Sequence, residues 1–336
     1  MADTIRARRR LGTLLGTASL IVLAVLSIVW GSRPIPFAVV WEALSSFDGA
    51  NDAHLIITEL RVPRTVLGIL VGAALGTAGA VMQAVTRNPL AEPGLLGVNA
   101  GASAAVVTAI VVAGSANVSS YIWAAFLGAG AAAVAVYALG GAFSQGANPV
   151  RLVLAGAALS VVLGAYTSAV VLNDQSAFGT FRFWSVGSLQ GRGWDTILAV
   201  VAFVVIGMLG ALVLARPLNA LAMGSDVGTA LGVSVRWTTI AAAGLIVLLA
   251  GSATAAAGPI GFIGLTAPLI ARSIVGPDYR YVLPFSCLIA ANVLLAADIV
   301  GRLVAFPGEV QTAIVMAIIG GPFFVAIVRR RKLATL

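Results

Sequence analysis

The chain is poor in charge, in cysteine and in histidine. Only 10% of its 336 residues are Asp, Glu, Lys or Arg, where a soluble globular domain carries about 25%. Such a chain cannot cover itself with polar surface in water. The single Cys287 lies in an apolar run and excludes a disulfide framework or a multi-cysteine metal site. His54 is the only histidine, so a membrane enzyme built on a His, Cys, Asp and Glu cluster lacks its material. No phosphate-binding loop of the form GxxxxGK(S/T) occurs, so any ATP chemistry falls to another chain. Acidic residues are scarce within the apolar runs. Glu92 and Asp298 fall near their edges, which disfavours an ion-coupled secondary transporter with carboxylates at mid-membrane. No metal and no cofactor is expected in this chain.

What is present is apolar. Hydrophobic residues make up 60% of the chain, and the mean hydropathy is +1.04. A spanning helix needs about 20 apolar residues, so this length holds roughly ten with little left for a soluble domain. The net charge is +8, but the cations do not form the single patch that nucleic acid would require. They cluster at both ends, in Arg6, Arg8, Arg9 and Arg10 and again in Arg329, Arg330, Arg331 and Lys332. That is the positive-inside pattern, which places both termini in the cytoplasm and demands an even number of spans. The first apolar run, 11–30, is too long for a secretory signal and reads as span 1.

The expected architecture is an all-α polytopic membrane protein, a single domain over 1–336. Its spans fall near 11–30, 62–85, 93–112, 121–143, 151–172, 195–215, 238–256, 260–275, 281–300 and 310–328. Pro34 and Pro36 precede a short outer surface helix with Phe37, Val40, Trp41 and Leu44. Small residues recur at four-residue spacing in Gly68, Gly72 and Gly76, and in Gly128 with Ala132, which lets helices approach closely in lipid.

Three segments depart from plain spanning helix. Arg61-Val62-Pro63-Arg64 puts two cations at an outer edge, against the charge rule. Lipid snorkelling and a docking point for an acidic partner both account for it. Residues 88–97 bracket Glu92 with Pro89, Pro93, Gly94 and Gly97, which predicts a broken helix or a simple turn. Residues 258–268 place Gly258, Pro259, Gly261, Gly264 and Pro268 inside an apolar stretch, as in the discontinuous helices of transport routes. Asp298 and Arg302, four apart, share a helix face as a functional or a structural pair.

At these residues the chain resembles the permease family of ABC importers for ferric siderophores, haem and cobalamin. The stretches that carry the resemblance are RVPRTVLGILVGAALGTAGAVMQAVTRNPLAEPGLLGVNAGA, RLVLAGAAL, GPIGFIGLTAPLIAR and LLAADIVGRLV followed by PGEVQTAIVMAIIGGPFF. They run in the family's order from span 2 to span 10.

The resemblance implies the type II importer permease fold in the cytoplasmic membrane of a bacterium. It also implies a second permease subunit, identical or not, and two ATPase subunits that bind ATP and magnesium. An extracytoplasmic binding protein is to deliver the substrate. Arg61, Arg64 and Arg302 are to meet acidic residues of that protein. Residues 218–232 match the ATPase-coupling segment, with Leu218, Leu221, Ala222 and Leu231 as apolar contacts beside Asn219, Gly224, Ser225, Asp226 and Gly232. Asn88 and Leu90 match a cytoplasmic gate. Asn148, Pro149 and Val150 match a second gate region, although SQGANPV departs from the family's pattern. The implied mechanism is alternating access with a route of few charges. Ferric siderophore is the expected cargo, with cobalamin and haem as alternatives that no residue separates. A channel fits the composition but would leave the coupling segment unexplained, and an ion-coupled secondary transporter is the alternative of another class.

Overall fold

The computed structural model describes residues 2–113, 118–140 and 149–329, and among them every regular element is helical. Helix α1 (Ala2–Val29) is followed by short α2 (Phe37–Ser45) and α3 (Asp52–Leu55). A π-helical turn, Ile56–Arg61, then leads directly into α4 (Val62–Thr86). A 3-10 turn at Pro93–Leu96 precedes α5 (Val98–Ala113). Then come α6 (Val118–Leu139), α7 (Pro149–Asn173), short α8 (Gln175–Ser185) and α9 (Trp194–Val213). Two small helices, α10 (Ala215–Ala222) and α11 (Ser225–Ala230), lead to α12 (Val235–Ala257). The chain closes with α13 (Ile263–Val275), α14 (Tyr279–Val304) and α15 (Thr312–Arg329). Among the described residues seven helical stretches are long and apolar enough to cross a membrane, and α5, α13 and α15 are three shorter apolar helices. Residues 141–143 of the expected fourth span lie outside the described residues. The tail beyond Arg329 lies outside the described residues.

Helix α4 is the centre of the bundle. Its apolar stretch is 83% buried, against 6% for α1 and 11% for α7, which belong to the periphery. Glycine makes this centre possible. A Cβ at Gly72 would lie 2.7 Å from Ala291 Cα, one at Gly76 2.4 Å from Ser286 O, and one at Gly79 1.8 Å from Gly264 O. No side chain fits there, so α4 meets α13 and α14 backbone against backbone. Helices α5 and α6 cross the same way: each of Gly101 and Gly128 faces the other's carbonyl oxygen. The glycine ladder thus extends to Gly79, while Gly68 meets only side chains of Leu189 and Leu295.

The two ends of the bundle differ. At one, Arg9 donates to Val275 O and stacks 3.5 Å from the Tyr281 ring centroid. By the charge bias this is the cytoplasmic end. At the other, α2 buries Val40 and Ala43 in a small core with Ile35 and Ile57, and turns Phe37, Trp41 and Leu44 outward.

The breaker segments become real breaks. Helix α12 stops at Gly258, whose φ of 75° favours glycine. Helix α13 begins only at Ile263, after Phe262 in the left-handed region at φ 67°. Thirteen residues of helix rise about 20 Å, short of the roughly 30 Å hydrocarbon core. The non-helical residues 258–262 lengthen this crossing. Their exposed backbone needs a partner at depth, and the Glu92 carboxylate accepts from Phe262 N at 2.6 Å. The two breaker segments of the sequence are therefore two halves of one feature.

Gly79→Ala forces α4 off α13 and is expected to cost about 3 kcal/mol. A Cβ at Gly244 meets nothing within 4 Å, so Gly244→Ala should stay within about 0.5 kcal/mol of the parent. Thermal unfolding in detergent compares the pair.

Candidate functional site

At the outer end three arginines converge because four helix termini do. The π turn aims Arg61 back at α1, where its guanidinium donates to Ile28 O at 2.9 Å, to Val29 O at 2.7 Å and to Arg33 O. Arg64, one turn on, grips Asp298 with Nε and Nη2, the latter at 2.8 Å, and reaches Glu309 Oε2 at 2.7 Å with Nη1. Arg302 donates to the same Asp298 and also to Ser27 O, Ser27 Oγ and Trp30 O. Thr312 Oγ1 closes the set on Asp298 Oδ1 at 2.8 Å. The knot therefore ties α1, α4, α14 and α15 together.

Arg61, Arg64 and Arg302 were to face a partner's carboxylates, yet they are only 6%, 9% and 2% exposed. The carboxylates that answer Arg64 and Arg302 are the chain's own Asp298 and Glu309. Burial at a membrane edge demands such partners, because an unpaired guanidinium there is costly. The i, i+4 spacing of Asp298 and Arg302 was legible in the sequence. Glu309, Ser27 and Thr312 were not, because only the fold brings them there.

At the cytoplasmic end, α10 lies under the bundle. Leu218 and Leu221 were expected to face a partner, but both are buried against the chain itself. They sit three residues apart, so they share the face that packs on α4 and α14. Asn219 is likewise engaged within the chain: its amide donates to Asp278 at 2.7 Å and its oxygen accepts from Tyr279 N at 2.8 Å. Ala222, Asp226, Leu231 and Gly232 do face out, and Gly224 and Ser225 are half-buried. The apolar exposure missed from the sequence is Met223 and Val227, which with Leu231 are 59%, 44% and 60% exposed. Their spacing of four was the available signal. Gly224, at φ 119°, lets the chain turn between α10 and α11.

The gate loop adjoins this face. Helix α4 ends on Arg87, left-handed at φ 50°, whose Nη1 would lie 3.9 Å from a Cβ on Gly224. Asn88 is exposed and folds the loop by accepting from Leu90 N at 2.9 Å, and Leu90 is half-buried. Pro149 and Val150 open α7, and Asn148 lies outside the described residues. Among the described residues no group of three or more His, Cys, Asp or Glu could hold a metal ion.

Both ends can be probed by removing one carboxylate. Asp298→Asn leaves Arg64 and Arg302 buried without their shared anion. It should cost about 3–5 kcal/mol in thermal unfolding, as broken buried pairs do. Asp278 is held down to about 2, chiefly by the Arg280 guanidinium and also by Asn219. A depressed carboxyl lends stability above its ordinary value of 3.8, and that stability goes as pH falls through about 2. Asp278→Asn should therefore lower stability by up to about 1 kcal/mol. The gap to wild type stays constant from pH 8 to 5 and closes towards pH 2.

A 312-residue stretch is 44% identical to the ferric enterobactin transport system permease protein FepD of Escherichia coli (strain K12), covering 93% of each chain. The hemin transport system permease protein HmuU of Yersinia pestis is 34% identical over 99% of this chain and 98% of its own. The solved structure of an inward-facing conformation of a metal-chelate type ABC transporter superimposes with a TM-score of 0.82 at 25% identity. It covers 94% of this chain and 98% of that one. Residues 19–330 match the FecCD transport family, and the chain belongs to it.

Proposed function

We propose that the chain is the permease subunit of an ATP-driven importer that carries a ferric siderophore across the bacterial cytoplasmic membrane. The observation that carries this reading is the exposed apolar patch of Met223, Val227 and Leu231 at the cytoplasmic end. It sits on a small helix pair that Leu218, Leu221 and Asn219 pin to the bundle. A chain with no ATP-binding loop of its own needs such a handle for an ATPase. Two ATPase subunits, which bind ATP and magnesium, seat on it and on its copy in a second permease subunit.

Movement of α10 reaches the transport helices by a short path. Asn219 links it to the α13–α14 turn, and Arg87 beside Gly224 links it to the end of α4 and the gate loop of Asn88 and Leu90. ATP binding and release favour different arrangements of this end, which is what alternating access requires. At the outer end the binding protein docks on the rim that Arg61, Arg64 and Arg302 shape. Three guanidinium groups against the two carboxylates of Asp298 and Glu309 leave one positive charge in excess. That surplus orients an acidic partner more than it holds one. The ferric enterobactin permease, similar along most of the chain, supports an iron chelate as cargo.

The test is uptake into proteoliposomes holding the chain with its ATPase and binding protein. Labelled ferric siderophore should enter with ATP, in preference to cobalamin and haem. Met223→Asp with Leu231→Asp should lower that uptake at least about tenfold by weakening ATPase assembly, with thermal unfolding unchanged. Uptake that follows a proton or sodium gradient without the ATPase would overturn the reading.

A further inference from the structure

A cavity of about 650 Å³ opens at the outer end of the bundle, and none of Arg61, Arg64 and Arg302 lines it. Its walls come from three separate connections. Tyr121 stands at the start of α6, Thr180 on α8, and Gln311 just before α15; Ser188, Gln190 and Arg192 come from the loop between α8 and α9. That loop is built to hold its shape. Leu189 is fully buried, and Ser188 N donates to Ala257 O at 2.7 Å. Ala313 N donates to Gly187 O at 3.2 Å. Gly187, at φ 78°, lies so close to Pro259 O that a Cβ would fall 2.3 Å away.

The charge of this cavity is one-sided. Arg192 is 8% exposed and its Nη1 donates to the Tyr121 hydroxyl at 2.6 Å. The guanidinium also lies over the Tyr121 ring, 5.5 Å from its centroid, but it has no carboxylate partner among the described residues, and its buried Nε has no acceptor. The indole Nε1 of Trp184, on the same wall and 2% exposed, has none either. Among the described residues no Asp or Glu lines the cavity. The contrast with the rim is direct: there every buried arginine is answered by carboxylates or carbonyls of this chain. Buried donors without acceptors call for an explanation, and a buried cation without an anion is costly.

We infer that the cavity around Arg192 is a binding site for an anionic, oxygen-rich metal chelate. Its guanidinium meets the chelate's negative charge, and the indole, hydroxyl and amide groups around it meet the ligand oxygens. The volume suits a ligand-sized guest. This rests on the importer reading, because the chelate is the cargo of that same permease, and it adds a charge preference within the membrane subunit.

The importer complex in nanodiscs tests the inference by equilibrium binding of two radiolabelled probes. One is a ferric tris-catecholate, a trianion; the other is a neutral ferric tris-hydroxamate. The wild type should bind the trianion saturably and the neutral chelate more weakly. Arg192→Gln should weaken binding of the trianion at least about tenfold, the worth of a charge-assisted hydrogen bond in a buried site. It should leave the neutral probe's affinity as it was, and Arg192→Lys should retain most of the binding. Should Arg192→Gln lower the thermal unfolding temperature, Gln311→Glu carries the same test by placing a carboxylate in the cavity. Unchanged affinity for the trianion in both variants, or an equal loss for both probes, overturns the site. So does a wild type that binds neither probe. If that wild type still takes up ferric chelate with ATP, the site fails and the importer reading stands. Binding of the trianion without ATP-dependent uptake keeps the site and overturns the importer reading.

Discussion

The carboxylate of Asp298 is the contact on which the outer half of the molecule depends. It is almost completely buried and accepts from Arg64, Arg302 and Thr312. Through those donors it joins the start of α4, its own helix α14 and the start of α15. Arg302 carries the link on to the end of α1. A charge at the edge of the hydrocarbon can persist only when answered at close range. The knot therefore sets how four helix ends meet, and the outer rim inherits its shape.

Below that knot the bundle is held by close approach of backbones rather than by polar contacts. In lipid the hydrophobic effect does not press helices together, so packing has to. Glycines on α4 bring α13 and α14 to van der Waals contact along the centre. Between α12 and α13 Gly258 and Pro259 interrupt the helix. The chain is non-helical there, and Glu92 answers the freed backbone of Phe262. Tight packing and helix interruption are thus two results of one composition rich in glycine.

These two constraints divide the molecule into a closely packed centre and more exposed margins. Helix α4 reaches from the outer knot to the gate loop and to the underside of α10. A rigid rod with one end in each compartment suits a transporter whose energy arrives on one side and whose cargo arrives on the other. The peripheral helices α1 and α7 turn most of their surface outward, to lipid or to neighbouring subunits. The cavity beside Arg192 lies where three outer connections meet, away from the exposed apolar patch of Met223, Val227 and Leu231.

Much of this was legible in the sequence, for a physical reason. Crossing a bilayer imposes long apolar runs, and the charge bias imposes sidedness, so span number and orientation are written locally in residues such as Arg9 and Arg87. Breakers at 88–97 and 258–268 announce interrupted helices by their own backbone chemistry. The partners of charged groups are different. Whether Arg64 serves a neighbouring protein or Asp298 depends on residues 234 positions apart being folded together. The same holds for Leu218, turned inward, and for Met223 and Val227, turned outward on one short amphipathic stretch. Residue order alone dictates an all-helical protein with many apolar stretches fit to cross a membrane. Which of its arginines are already answered, and that Arg192 is not, emerges only on folding, because pairing is a property of distance and burial rather than of residue type.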